Sequence, residues 1–177
     1  MFNSSIRFYG KHAKIMKKYC KNNSAETAVP FEIDNNEGKK EDKFIFDTFF
    51  QCYLVAGMLG IINKRTAKTD TDKTFDATIM MDIILKKKEL LVRMYQHMVL
   101  SENDGLSPDA KVKKAFSVSM TEEEGKDEQE RLEDYVRGGL EIIDETFSGC
   151  FSYEDVARQI YSFKEKLTIE EIPTEEE

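Results

Sequence analysis

The side chains best suited to chemistry in this 177-residue chain are few: two histidines and three cysteines, set beside an abundance of carboxylates. Cys20, Cys52 and Cys150 lie far apart, are odd in number and form no Cys-x-x-Cys pair. Metal sites and disulfide frameworks draw on closer or even-numbered sets. With only His12 and His97 to assist them, the cysteines read as buried thiols of a reducing compartment. His97 can pair with Glu102 or Asp104 across a predicted turn, but no nearby nucleophile completes a triad. Carboxylates gather at Glu122–Glu124 and again at Glu141, Asp144 and Glu145, where a divalent ion could be held. Such pairs are common on solvated helix faces, and no EF-hand loop, His-Glu-x-x-His or twin Glu-x-x-His pattern accompanies these. No catalytic residue, metal ligand or cofactor is therefore expected. An enzyme whose site escapes recognition from sequence is kept as a third reading.

The binding chemistry is better marked. Residues 1–24 carry Arg7, Lys11, Lys14, Lys17, Lys18 and Lys21 with no acidic residue, although the whole chain has a net charge of -8. That net charge argues against a general polyanion binder but leaves room for a local basic patch. At helical spacing Phe8, His12, Ile15, Met16 and Tyr19 share one face, while Lys11, Lys14, Lys18 and Lys21 share another. The plain reading is a docked first helix with a solvated basic face. Contact with nucleic acid, an acidic partner or a membrane surface competes with it.

These side chains need a scaffold, and the densest apolar stretch, Phe44–Arg65, supplies its centre. Apolar residues nearly surround this predicted helix, which marks it for burial on most sides. A membrane span is the rival reading. Asp47 and Gln51 interrupt the run, and Thr48–Asn63 is shorter than the roughly 20 residues a span requires. No membrane insertion is expected. Gly57 and Gly60 here, and Gly138 and Gly139 in the amphipathic segment Leu132–Phe147, are assigned to close helix packing, since two glycines inside an exposed helix would cost roughly 1–2 kcal/mol.

The rest is read as helix as well. Thr74–Leu100 is expected to form the longest helix, with Lys86–Lys88 as a solvated turn. Ser107 with Pro108 marks the start of a short helix, Thr121–Glu130 a turn or a frayed first turn, and Ser152 with Asp155 the cap of the last helix. The last core-facing stripe is Tyr153, Val156, Ile160, Phe163 and Leu167. The fold class expected is all-α: a single compact bundle of five or six helices around the hydrophobic central helix. The helical domain covers 1–167, with a linker at 22–43 within it, and 168–177 is an acidic flexible tail. No N-terminal apolar core of the secretory kind is present, so the location expected is cytoplasmic.

The segment FIFDTFFQCYLVAGMLGIINKR resembles part of the small accessory proteins associated with bacterial DNA phosphorothioation and restriction, through its aromatic-rich helix followed by Ala56, Gly60, Asn63, Lys64 and Arg65. Lys64 stands where that pattern expects a second glycine, and the resemblance spans about 22 residues. It implies a noncatalytic role beside DNA-processing machinery.

Two readings lead. The first is a noncatalytic protein-interaction or adaptor protein that meets another protein or a second copy of itself. The second is a DNA-associated accessory protein whose contacts are Arg7, Lys11, Lys14, Lys18, Lys21, Lys64 and Arg65. Convergence of the N-terminal lysines with Lys64–Arg65 would favour DNA; pairing of these cations with carboxylates would count against it.

Overall fold

Ile6–Tyr9 (β1) runs antiparallel to a strand at residues 76–79, and this pairing divides two stretches that the sequence assigns to helices. The computed structural model describes residues 1–21, 31–34, 40–116, 122–150 and 152–167. The described chain is mostly helical, with two small antiparallel strand pairs, so it is not strictly all-α.

After β1 comes α1 (Gly10–Tyr19). Gly10 makes the junction with φ of +55°, a left-handed conformation that L side chains resist. Asp70 packs where a Cβ would stand, so the position excludes a side chain twice over. α1 then buries His12, Ala13, Ile15, Met16 and Tyr19. The stretch expected as a linker contains a hairpin, β2 (Phe31–Asp34) paired with β3 (Lys40–Lys43). Residues 22–30 and 35–39 lie outside the described residues, as does the expected acidic tail at 168–177.

Ile45 and Phe46 pack on the core and hydrogen-bond with Tyr19 and Lys21. α2 (Phe49–Ile62) begins where the Thr48 hydroxyl accepts the Gln51 amide at 3.2 Å. It buries Phe50, Cys52, Tyr53, Ala56, Leu59 and Ile61 on several sides, because little polar surface interrupts its cylinder. Among the described residues no helix is long and apolar enough to cross a membrane.

The long helix expected over Thr74–Leu100 is instead β4 (Asp76–Ile79), α3 (Met81–Lys86) and α4 (Lys88–Ser101). Ala77 and Ile79 point inward opposite Phe8 and Ile6, a two-residue alternation that a helical stripe cannot satisfy. Lys87 then breaks the helix between α3 and α4. α5 (Pro108–Ala115) starts as its sequence predicts, with the Ser107 hydroxyl accepting from Ala110 and proline in the first turn. Residues 117–121, with the capping position Thr121, are outside the described set.

α6 (Glu122–Phe147) is one continuous 26-residue helix, about 39 Å long, and takes in residues 122–130 of the stretch expected as a turn or a frayed first turn. It packs on α2 along most of that helix's length. α7 (Tyr153–Leu167) closes the described chain; Ser152 caps it in a reciprocal pair of bonds with Asp155.

Candidate functional site

The α2–α6 crossing fixes everything around it. A Cβ on Gly139 would overlap the Ala56 carbonyl, and one on Gly60 the Tyr135 carbonyl. Gly138 is pressed by the Arg65 carbonyl, while Gly57 faces the flexible end of Met94. Backbone therefore meets backbone at three of the four glycines, and the chain leaving α2 is laid directly across α6.

That strand of chain is strapped down. Ala67 donates to the Asp134 carbonyl, and Arg137 returns a bond from Nε to the Ala67 carbonyl, 3.0 Å away. Arg137 is buried and pairs with Asp134 at 2.5 Å, and Lys68 reaches Asp134 from outside at 2.6 Å. Burial alone would raise the Asp134 carboxyl, but bonds from Lys68 and Arg137 hold it below the ordinary range. Farther along, Asp70 accepts the Lys11 amide at 2.9 Å and so ties the same strand to α1.

Between α1, α6 and this strand lies an open cleft of about 710 Å³. Here Lys11, Lys14 and Lys18 converge with Arg65, together with Lys17. They do not converge on open solvent. Lys11 pairs with Glu141 at 2.5 Å, and Lys18 with Asp144 at 2.9 Å. Arg65 places one nitrogen 3.0 Å from Glu141 and 2.6 Å from Glu145, which holds its guanidinium even more firmly protonated than usual. Burial pushes the Glu141 carboxyl upward, yet Lys11, Arg65 and His12 outweigh it and the group sits below its usual range. Lys14 instead stands 4.3 Å over the Phe75 ring.

Arg7, Lys21 and Lys64 do not join this cleft. Arg7 is exposed on β1 opposite Thr78, Lys21 lies beyond the end of α1, and Lys64 is exposed at the turn after α2 with φ of +51°. The cations are evident in the sequence, but their pairing is not. The signal was the Glu141, Asp144, Glu145 cluster, spaced for one helix face; the register of α1 on α6 was needed to join the two sets.

His12 lies behind the cleft at 1% exposure, with Nε2 3.3 Å from Glu141. Burial lowers its pKa more than Glu141 raises it, so the ring is held neutral. Nδ1 has no hydrogen-bond partner among the described residues, which fits the tautomer that donates from Nε2 to Glu141. His97 is exposed, and its expected partners are engaged elsewhere: Glu102 accepts from Tyr135, and Asp104 accepts the Leu106 amide and pairs with Lys111. Among the described residues no three His, Cys, Asp or Glu side chains are grouped to hold a metal ion. The cysteines are free and buried; Cys20 and Cys52 are neighbours, and their contact together with burial pushes the Cys52 thiol well up.

A second concavity is lined, among the described residues, by apolar side chains. Ile45 and Phe46, with Val55 and Leu59 of α2, form one wall of a groove of about 390 Å³. Ile143 and Phe147 of α6 and Ile160 and Phe163 of α7 form the other. The last stripe is not fully core-facing: Val156 and Phe163 pack on the core, with the Phe163 ring 5.7 Å from that of Phe147. Ile160 remains 50% exposed and Tyr153 51%, while Val55 opposite is 42% exposed.

Comparison with protein-family models, curated proteins and solved structures gave no match.

Proposed function

We propose that this chain is a noncatalytic protein-interaction module, and that its α2–α6–α7 groove receives the apolar stripe of a helix from another protein. The single observation that carries the reading is the lining of that groove. Among the described residues eight apolar side chains line it and no charged one does, and Val55 and Ile160 stand half-exposed at its edges. Helix-in-groove recognition needs this combination: a preformed apolar trough that accepts side chains spaced at i, i+3 or i+4 and i+7. A polyanion or a polar metabolite would find no partner in it.

The DNA-associated reading draws support from Lys11, Lys14, Lys18 and Arg65 sharing one cleft. It is weakened there by Glu141, Asp144 and Glu145, which occupy three of those four cations and would repel a phosphate backbone.

The test is a pairwise capture from native cells with the full chain and with Val55→Lys and Ile160→Lys. Both positions are exposed enough to accept lysine without loss of the core. A partner retained by the parent chain and lost from both variants supports the reading; a partner set unchanged by either overturns it. Light scattering of the purified chain separates self-association from a foreign partner.

A further inference from the structure

We infer that the outer face of α3 and the β1–β4 pair rests on an anionic lipid surface, with no segment crossing the bilayer. None of its residues lines the apolar groove.

The sequence sets apolar and cationic residues side by side here, with Met80 and Met81 entering α3 and Lys86, Lys87 and Lys88 leaving it. α3 buries Ile84, which turns the opposite side of the helix outward. Met81 and Leu85 are one turn apart and share a row on that side. Together with Met80 they are between 45% and 59% exposed. Single exposed apolar residues are ordinary, but three large ones grouped within six positions mark a contact surface.

Cations stand around them. Lys88 donates from Nζ to Asn3 Oδ1 at 3.1 Å, which lays the α3–α4 junction beside the residues that lead into β1. In the β1–β4 register Ile6 and Ile79 turn inward, so Arg7 faces outward opposite Thr78, on the side of the sheet that leads to Met80. Arg7 and Lys87 are exposed and make no ion pair among the described residues. Lys86 meets Asp82 only at 3.8 Å, with both side chains largely in solvent. Glu89 is taken by Arg93 at 2.5 Å. Arg7 and the three lysines, set against Asp76 and Asp82, leave two positive charges in a chain whose net charge is -8. The α1–α6 cleft differs, because there carboxylates hold Lys11, Lys18 and Arg65.

The mixture of side chains selects the occupant. Nucleic acid would meet the cations but leave Met80, Met81 and Leu85 in water. An anionic bilayer answers both: its headgroups neutralise lysine and arginine, and the boundary with its acyl chains receives the apolar row. Lysine stems are long enough to keep their amino groups among the headgroups while that row sits deeper.

The test is flotation of the full chain with phosphatidylcholine vesicles containing roughly 30% phosphatidylserine. The chain is expected to float with them at about 0.1 M salt, and to lose about fivefold or more of that binding on pure phosphatidylcholine or at about 0.5 M salt. Lys86→Ala combined with Lys87→Ala is expected to weaken binding about thirtyfold. Met81→Ser combined with Leu85→Ser is expected to weaken it about tenfold, with the far-ultraviolet circular dichroism of both variants unchanged. The chain contains no tryptophan, so Met81→Trp supplies a single indole whose emission should shift to the blue on the anionic vesicles alone. Failure to float, equal retention by pure phosphatidylcholine, undiminished binding of the Met81/Leu85 variant, or an unshifted indole on bound chain would each overturn the assignment. Retention of duplex DNA with no binding to vesicles would also overturn it and give the cations to nucleic acid.

Discussion

Gly139 faces the carbonyl of Ala56 across the α2–α6 crossing, so closely that no side chain fits between the two backbones. The contact sets the distance between the longest helix and the most apolar one. Through it, Gly138 receives the Arg65 carbonyl, and Arg65 in turn reaches Glu141 and Glu145. One glycine pair thus positions both the core and the charged cleft.

Gly139→Ala is expected to destabilise the fold by about 3 kcal/mol, the upper end for overpacking against atoms that cannot swing aside. Gly149, which has open space where its Cβ would lie, is the matched control. Gly149→Ala should change stability by less than about 0.5 kcal/mol. Urea unfolding of the two variants reads the difference directly.

Stability should fall on acidification in two separable windows. His12 has a folded pKa below its ordinary 6.5 because burial disfavours the imidazolium. The unfolded chain therefore takes up a proton first, and His12's contribution is complete above pH 6.5 and is lost as pH falls toward the folded value. Glu141, held low by Lys11 and Arg65 despite its burial, contributes stability above 4.5 that is lost as pH falls through its lower folded value. His12→Gln should flatten the upper window and leave the lower one. Thermal melts between pH 7.5 and pH 3.5 would show this; an unchanged slope below pH 6.5 in the variant would contradict it.

Duplex DNA should not be retained through the α1 face. In a gel shift at about 50 mM salt, where phosphate contacts are strongest, the parent chain is expected to give no shifted band. If the carboxylates are what prevents binding, Glu141→Gln with Glu145→Gln should increase retention. A band in the parent chain that disappears on neutralising Lys11, Lys14 and Lys18 would restore the DNA reading.

The central helix is legible in the sequence because sixteen residues from Thr48 to Asn63 carry no formal charge, and only burial accommodates such a cylinder. β1 and β4 are not. Each is four residues long, and Ile6, Phe8, Ala77 and Ile79 gain their inward alternation only by pairing across about seventy residues. Ile79 and Ile83 also fit a helical stripe, so the local pattern reads as one long helix where a strand and two helices stand. The hairpin β2–β3 lies in a segment rich in turn formers and charge; the apolar residues at 29–33 suit an extended segment, but the charged β3 (Lys40–Lys43) carries no strand pattern of its own. In the cleft, the cationic face of α1 is written in residues 11–18. Its neutralisation is written 120–130 residues later and becomes visible only when α1 docks on α6.

The measurement that bears most directly on the interaction reading is site-specific photo-crosslinking in native cells. A photoreactive amino acid is placed at Val55, on the open wall of the apolar groove, with a second chain labelled at exposed Lys113 of α5 as the reference. A discrete protein adduct is expected from position 55, absent from position 113 and abolished by Ile160→Lys. No protein adduct at position 55, or one that survives Ile160→Lys unchanged, would contradict it.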